Sequence, residues 1–294
     1  MTAPIFPPLP AEAEALAVAF ESARLSVKTL DPDRYLATLF APRDAQPFLF
    51  ALYAFSAEIA RVRESISEPM LGEIRHQWWR EALSCKAQSA VENPLALALH
   101  TTLQKFALPP EPLLALIEAR GFDLYDDPMP TWLDLEGYCG ETSSSLIRLA
   151  TLILGGGQEC GGADLCGHAG VAYAITGLLR AFPFHARRHQ CFIPHEVLIA
   201  CGVSHDDIFA GKDSENLRAA LHAMRTRAHS HLDIVSGKLC CLPRTCRAAF
   251  FPVCLTRNYL TQMEQADYKP FETRIDLSSL RKMWIFGKSA LKAR

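Results

Sequence analysis

Apolar residues recur at helical spacing along almost the whole chain, and that period excludes most folds before any motif is read. In segment 47–66, Leu52, Phe55, Ile59, Val62 and Ile66 follow steps of three and four, one stripe of an amphipathic helix. The first half of that segment, PFLFALYAF, is apolar on every side and predicts a helix buried all round. MLGEIRHQWWREAL (70–83) continues in helical register, with at most one of the adjacent Trp78 and Trp79 facing the core squarely. EPLLALIEAR (111–120) ends at Gly121, which reads as a C′ glycine. SSSLIRLATLIL (143–154) opens on serines that read as caps and stops at Gly155–Gly157. Further helices are predicted over 168–182, 214–236 and 243–263, and no alternating β-branched run bounded by turn residues competes with them. The expectation is an all-α, single-domain helical bundle over 23–294, preceded by a flexible N-terminal segment, 1–22. Loops are expected at 121–131, 155–167 and 183–195.

Charge adds an exclusion. Thirty basic residues against 32 acidic ones give no bulk reason to expect nucleic acid as a partner. The opening MTAPIFPPLPAEAEAL has no basic residue before Arg24, unlike a transit peptide or a secretory signal. No uninterrupted apolar run reaches the roughly 18–20 residues that span a bilayer. A cytoplasmic protein is expected, in peripheral contact with the inner membrane at most. The ten cysteines are scattered and form no CxxC pair, so they read as small buried hydrophobes in a reducing compartment. Cys160, Cys166 and His168 approach a metal cluster without zinc-module spacing, and no metal site is assigned.

Two blocks carry a resemblance. DPDRYLATLFAP (31–42) followed by FLFALYAF (48–55) resembles the opening of squalene and phytoene synthases, where a YAF-like helix runs into a DDxxD motif. LLRAFPFHARRHQCFIP (178–194) is similar to that family's LRDxxxD segment with its paired arginines. The resemblance runs from about residue 31 to the C-terminal helices and implies a fold of the trans-isoprenyl diphosphate synthase type. In that chemistry an allylic diphosphate is ionised, and magnesium ions held by hard carboxylate oxygens take up the leaving group's charge. Aspartates at i and i+4 project from one helix face, and two such helices face each other.

The aspartates are missing here. Aligned on Tyr53, the first pair of positions holds Ala60 and Glu64, with Arg61 in place of a further aspartate. The second pair holds Ala181 and His185, and Pro183 is expected to end the helix near Phe182. The pocket positions implied by the resemblance are Tyr53, Ala60, Arg61, Glu64, Glu141, Ala181, His185, Arg187 and Arg188, with Arg187 and Arg188 as a retained anion site. No catalytic residue and no metal ligand is assigned.

This pattern of loss resembles one branch of the superfamily, that of the mitochondrial complex I assembly factor related to squalene/phytoene synthases and its bacterial relatives. AEIARVRESISEP (57–69), IRHQWWREAL (74–83) and YCGETSSSLIRLA (138–150) carry it, together with 178–194. It implies a non-catalytic protein that assists complex I assembly through complex I subunits or other assembly factors, or that binds an isoprenoid-like apolar ligand, without a cofactor. The alternative is an active prenyltransferase joining two prenyl diphosphates at an altered magnesium site. At the C-terminus, Arg281, Lys282, Trp284 and Lys288 fit either a lipid-docking helix or an ordinary surface helix.

Overall fold

The computed structural model describes residues 10–84 and 93–293, and every regular element among them is helical. α1 (Pro10–Leu30) lies across α3 (Gln46–Ala60) and α6 (Pro94–Lys105). Ala19, Ala51 and Ala98, all fully buried, let the three axes approach closely. Beside them Phe20, Phe48 and Phe106 stack edge to face, with centroids 5.1 and 5.0 Å apart. The boundary expected at residue 22 is therefore wrong, because α1 starts at Pro10 and its small apolar face is covered. Residues 1–9 lie outside the described residues.

α10 (Ala163–Arg187) forms the axis of the other half, packed against α9 (Ser145–Leu154) and α13 (Glu215–Lys238). It is the one described helix long and apolar enough to cross a membrane, yet Ala169, Ala172, Ile175 and Leu179 are core residues. Gly170 sets the spacing of this half. A Cβ there would meet the backbone N and Cα of Ser144 at 2.3 Å, so only glycine admits the contact. α5 (Pro69–Leu83) buries Trp79 against Phe55 at 5.1 Å and leaves Trp78 half-buried.

Local chemistry overrides the sequence pattern in several places. The helix expected through residue 66 breaks at Arg61 (φ −94°, ψ −1°), leaving α4 (Val62–Ser65) as one short turn. Gly121 keeps helical dihedrals at the end of α7 (Glu111–Gly121), and the chain continues into a 3₁₀ turn instead of stopping. The serines before α9 do not cap it. A π-helical turn (Gly140–Ser144) links α8 (Trp132–Cys139) to α9; Ser144 donates to the carbonyl of Gly167 and Ser145 to that of Glu141. The helix expected over 243–263 dissolves into 3₁₀ turns, because Pro243 and Pro252 lack N–H donors, and only α14 (Thr256–Met263) remains α-helical. Cys160 and Cys246 pair as a disulfide, so these two are not free hydrophobes. Cys139, Cys166 and Cys191 are buried thiols, and burial pushes them up to about 12, 11 and 11.

Candidate functional site

Two helix ends decide the chemistry. Ala60 closes α3, and Arg61 and Glu64 follow in the break and in α4. Facing them is the last turn of α10, which does not stop at Phe182. Pro183 sits inside the helix and withholds one N–H, but the turn after it is held at several points. His189 adopts a left-handed conformation (φ 57°), and the N–H groups of His189 and Gln190 close onto the carbonyls of Ala186 and His185. Gln190 Nε2 donates to the Asp123 carbonyl at 2.8 Å, and Phe182 packs on Phe271. Ala181 and His185 thus share a helix face, four residues apart.

What converges there is not a carboxylate cage. Glu64 faces Arg61 at 3.4 Å and Arg188 at 3.4 Å, so its charge is matched by cations on both helix ends. His185 lies 4.7 Å from the Phe192 ring. Burial pushes its pKa down to about 4, aided by Arg120 and Arg188 and opposed by Asp123 and Glu64, so the imidazole is neutral at pH 7. The four positions that the resemblance implies for magnesium ligands supply one carboxylate, already ion-paired, and that donor set does not fit a magnesium cluster.

The remaining expected positions scatter. Tyr53 is buried in α3, one of two rings that sandwich the Arg34 guanidinium, with the Tyr53 and Tyr173 centroids 5.1 and 5.0 Å from its carbon. Burial pushes the Tyr53 hydroxyl up to about 12, with Arg34 opposing. Glu141 does not enter the interior. The π turn aims it outward, where it borders a 630 Å³ cavity beside Arg148 and Pro112. Ala181 and Arg187 line a different cavity of 660 Å³ with Arg180, Phe184, Arg274 and Asp276. Arg187 and Arg188 therefore part company, one into that cavity and one onto Glu64.

Two polar clusters escaped the sequence reading. In the first, the buried Asp33 carboxylate binds Arg180 at 3.0 Å, the Tyr259 hydroxyl at 2.7 Å and Lys282 Nζ at 2.7 Å, while Lys282 also binds Asp276 at 2.7 Å. Lys282 is therefore buried in ion pairs and does not reach outward. In the second, Arg120 donates to Asp123 at 2.8 Å and to the Tyr138 hydroxyl at 2.7 Å, and Tyr138 donates in turn to Asp123. Asp123 lies in the segment expected as a loop, 121–131. A usable signal was an aspartate and an arginine beside long apolar runs, since charges carried into a core come paired. His231 faces His168 with Nδ1 atoms 2.8 Å apart, and its Nε2 lies 3.3 Å from Glu136. Among the described residues no group of three or more such side chains is placed to hold a metal ion.

Known proteins share this architecture. The squalene synthase HpnC of Alicyclobacillus acidocaldarius superposes with a TM-score of 0.75 at 23% identity, covering 90% of this chain and 98% of that one. A dehydrosqualene synthase superposes with a TM-score of 0.80 at 19% identity, covering 96% and 99%. In sequence, the complex I assembly factor 6 of Rattus norvegicus is 30% identical over 242 residues, 82% of this chain and 72% of that protein. A chloroplastic phytoene synthase of Solanum lycopersicum is 24% identical over 258 residues, 85% and 82% of the two chains. The squalene/phytoene synthase family model matches residues 27–281, and this chain belongs to that family.

Proposed function

We propose that this protein assists the assembly of respiratory complex I and does not condense prenyl diphosphates. The observation that carries the reading is what stands at the four implied carboxylate positions: Ala60, Ala181, His185 packed on Phe192, and a Glu64 held between Arg61 and Arg188. Ionising a diphosphate needs cations held against it, and this locus presents no free carboxylate to hold them. The similarity to complex I assembly factor 6 proteins of several animals supports the assembly role. Complex I subunits or other assembly factors are the partners proposed.

Two measurements test the reading together. Deleting the gene in its native host should lower assembled complex I on a native gel, and the wild-type chain and Glu64→Ala should restore it equally. The purified protein with magnesium and farnesyl or geranylgeranyl diphosphate should yield no squalene or phytoene. Product formation that Glu64→Ala abolishes would establish the prenyltransferase alternative. Unchanged complex I after deletion would remove the assembly role.

A further inference from the structure

The C-terminal helix carries a surface that neither the fold nor the proposed assembly role uses. α15 (Ser279–Ala293) turns Lys282 and Phe286 into the core, where Phe286 packs on Phe40 at 6.0 Å. Its opposite face is apolar and open. Leu280, Trp284 and Leu291, at i, i+4 and i+11, are 81%, 63% and 68% exposed, and Met283 stands beside them. Gly287, at i+7, sits at the edge of the stripe towards Phe40, whose ring lies 3.8 Å from where a Cβ would be.

Next to this stripe the structure opens a 680 Å³ cavity between the loop after α2 (Pro32–Thr38), the 3₁₀ turns around Phe251, and Ala290 of α15. Its floor is Phe40, Phe251 and Ala290, the exposed Leu39 stands at its edge, and two arginines, Arg43 and Arg244, complete the lining. On the far margin of the stripe Arg281 and Lys288 follow Leu280 and Gly287 by one position, and the Lys288 ammonium lies 4.3 Å from the Trp284 ring centre. Among the described residues none of these four cations forms an ion pair, and neither does Asp44, the one acid in the loop. Several surface arginines elsewhere are matched: Arg75 to Glu58, Arg148 to Glu159, Arg218 to Asp213, Arg257 to Asp233. The whole chain carries a net charge of −2, so an apolar face flanked by four unmatched cations is a local departure.

We propose that this face is a docking surface for an anionic phospholipid bilayer, with Leu280, Trp284 and Leu291 entering the headgroup–acyl boundary and Arg43 and Arg244 holding lipid phosphates. The chemistry suits lipid on two counts. An amphipathic helix with tryptophan and leucine on one side and cations flanking them lies in the interfacial plane of a membrane. Cations near an anionic leaflet strengthen that binding, and salt weakens it.

Flotation of the full chain with vesicles tests the proposal, using phosphatidylcholine alone and phosphatidylcholine with phosphatidylglycerol. The protein should float with the phosphatidylglycerol vesicles and less so as salt rises. Arg43→Gln with Arg244→Gln should weaken partitioning roughly thirtyfold, about fivefold for each cation removed. Leu280→Ser with Trp284→Ser should abolish it. All four positions are exposed, so unchanged circular dichroism separates lost binding from lost fold, and brominated lipid should quench the Trp284 emission. No flotation with phosphatidylglycerol vesicles would overturn the proposal. So would equal flotation of the wild-type chain and both variants. Binding only to a protein partner through this face would overturn it as well.

Discussion

Lys282 is the position where removing one atom group has the most calculable consequence. Its ammonium lies 2.7 Å from both Asp33 and Asp276, and its side chain and that of Asp33 are each only 7% exposed. Lys282→Met keeps the length of the stem and removes the charge. Breaking a buried pair from one side costs about 3–5 kcal/mol when the other charge is left uncompensated. Here Asp33 keeps Arg180 at 3.0 Å and the Tyr259 hydroxyl at 2.7 Å, so the cost falls nearer that of a charged hydrogen bond, about 2–3 kcal/mol. In a chain of this size that lowers the melting temperature by about 4–6 °C. Asp33→Asn should cost a similar amount. The double variant should cost about 1–2 kcal/mol less than the sum of the singles, because each single leaves a buried group the double does not. Urea titration followed by circular dichroism gives all three numbers. Strict additivity, or a Lys282→Met cost under about 0.5 kcal/mol, would refute the coupled buried network.

The other predictions address the helix ends and the central contact. His185 has a folded pKa of about 4 against an ordinary 6.5, so the unfolded chain takes up the proton first as pH falls. Its contribution is present in full above pH 6.5 and is lost as pH falls towards 4, by about 3 kcal/mol in all. His185→Gln should flatten the stability profile across that window, and an unchanged slope would count against the burial. Gly170→Ala must push the backbone of Ser144 away from 2.3 Å, which should cost at least about 3 kcal/mol in urea titration; a neutral result would mean the two helices are not in contact. Glu64→Ala removes ion pairs that are half-exposed on every partner, and should change stability by less than about 0.5 kcal/mol by the same titration.

The helices were legible because their evidence is local and repeated. A stripe such as Leu52, Phe55 and Ile59 states its own period, and α3 buries those side chains as the period requires. Helix ends were less legible, since an end depends on partners distant in sequence. Pro183 reads as a stop, yet the contacts that carry the chain past it come from Asp123 and Phe271, 60 and 88 residues away along the chain. The same reason explains the missed networks: Asp33 finds Tyr259 and Lys282 more than 200 residues downstream. Which residue types stand at the implied carboxylate positions needs no geometry to be seen. Where the side chains point does. Glu141 turns outward only because a π turn shifts the register after Cys139.

The residues at the positions that the family resemblance implies for carboxylates are matched to one another. A lone Glu64 left among apolar neighbours would carry an uncompensated charge between two helix ends. Instead Arg61 and Arg188 meet it from both sides, joining α4 to the last turn of α10. His185 is kept neutral and set against Phe192, where an aspartate would have needed a cation. A magnesium-dependent site must leave its carboxylates underpaired until metal and diphosphate arrive together, because prior matching by arginine competes with the ion. The residues present here match one another already. A single aspartate at Ala181 would enter the cavity that Arg180 and Arg187 line, where those cations compete with a metal for it. Recovering a magnesium site requires removing the cations as well as adding the acids.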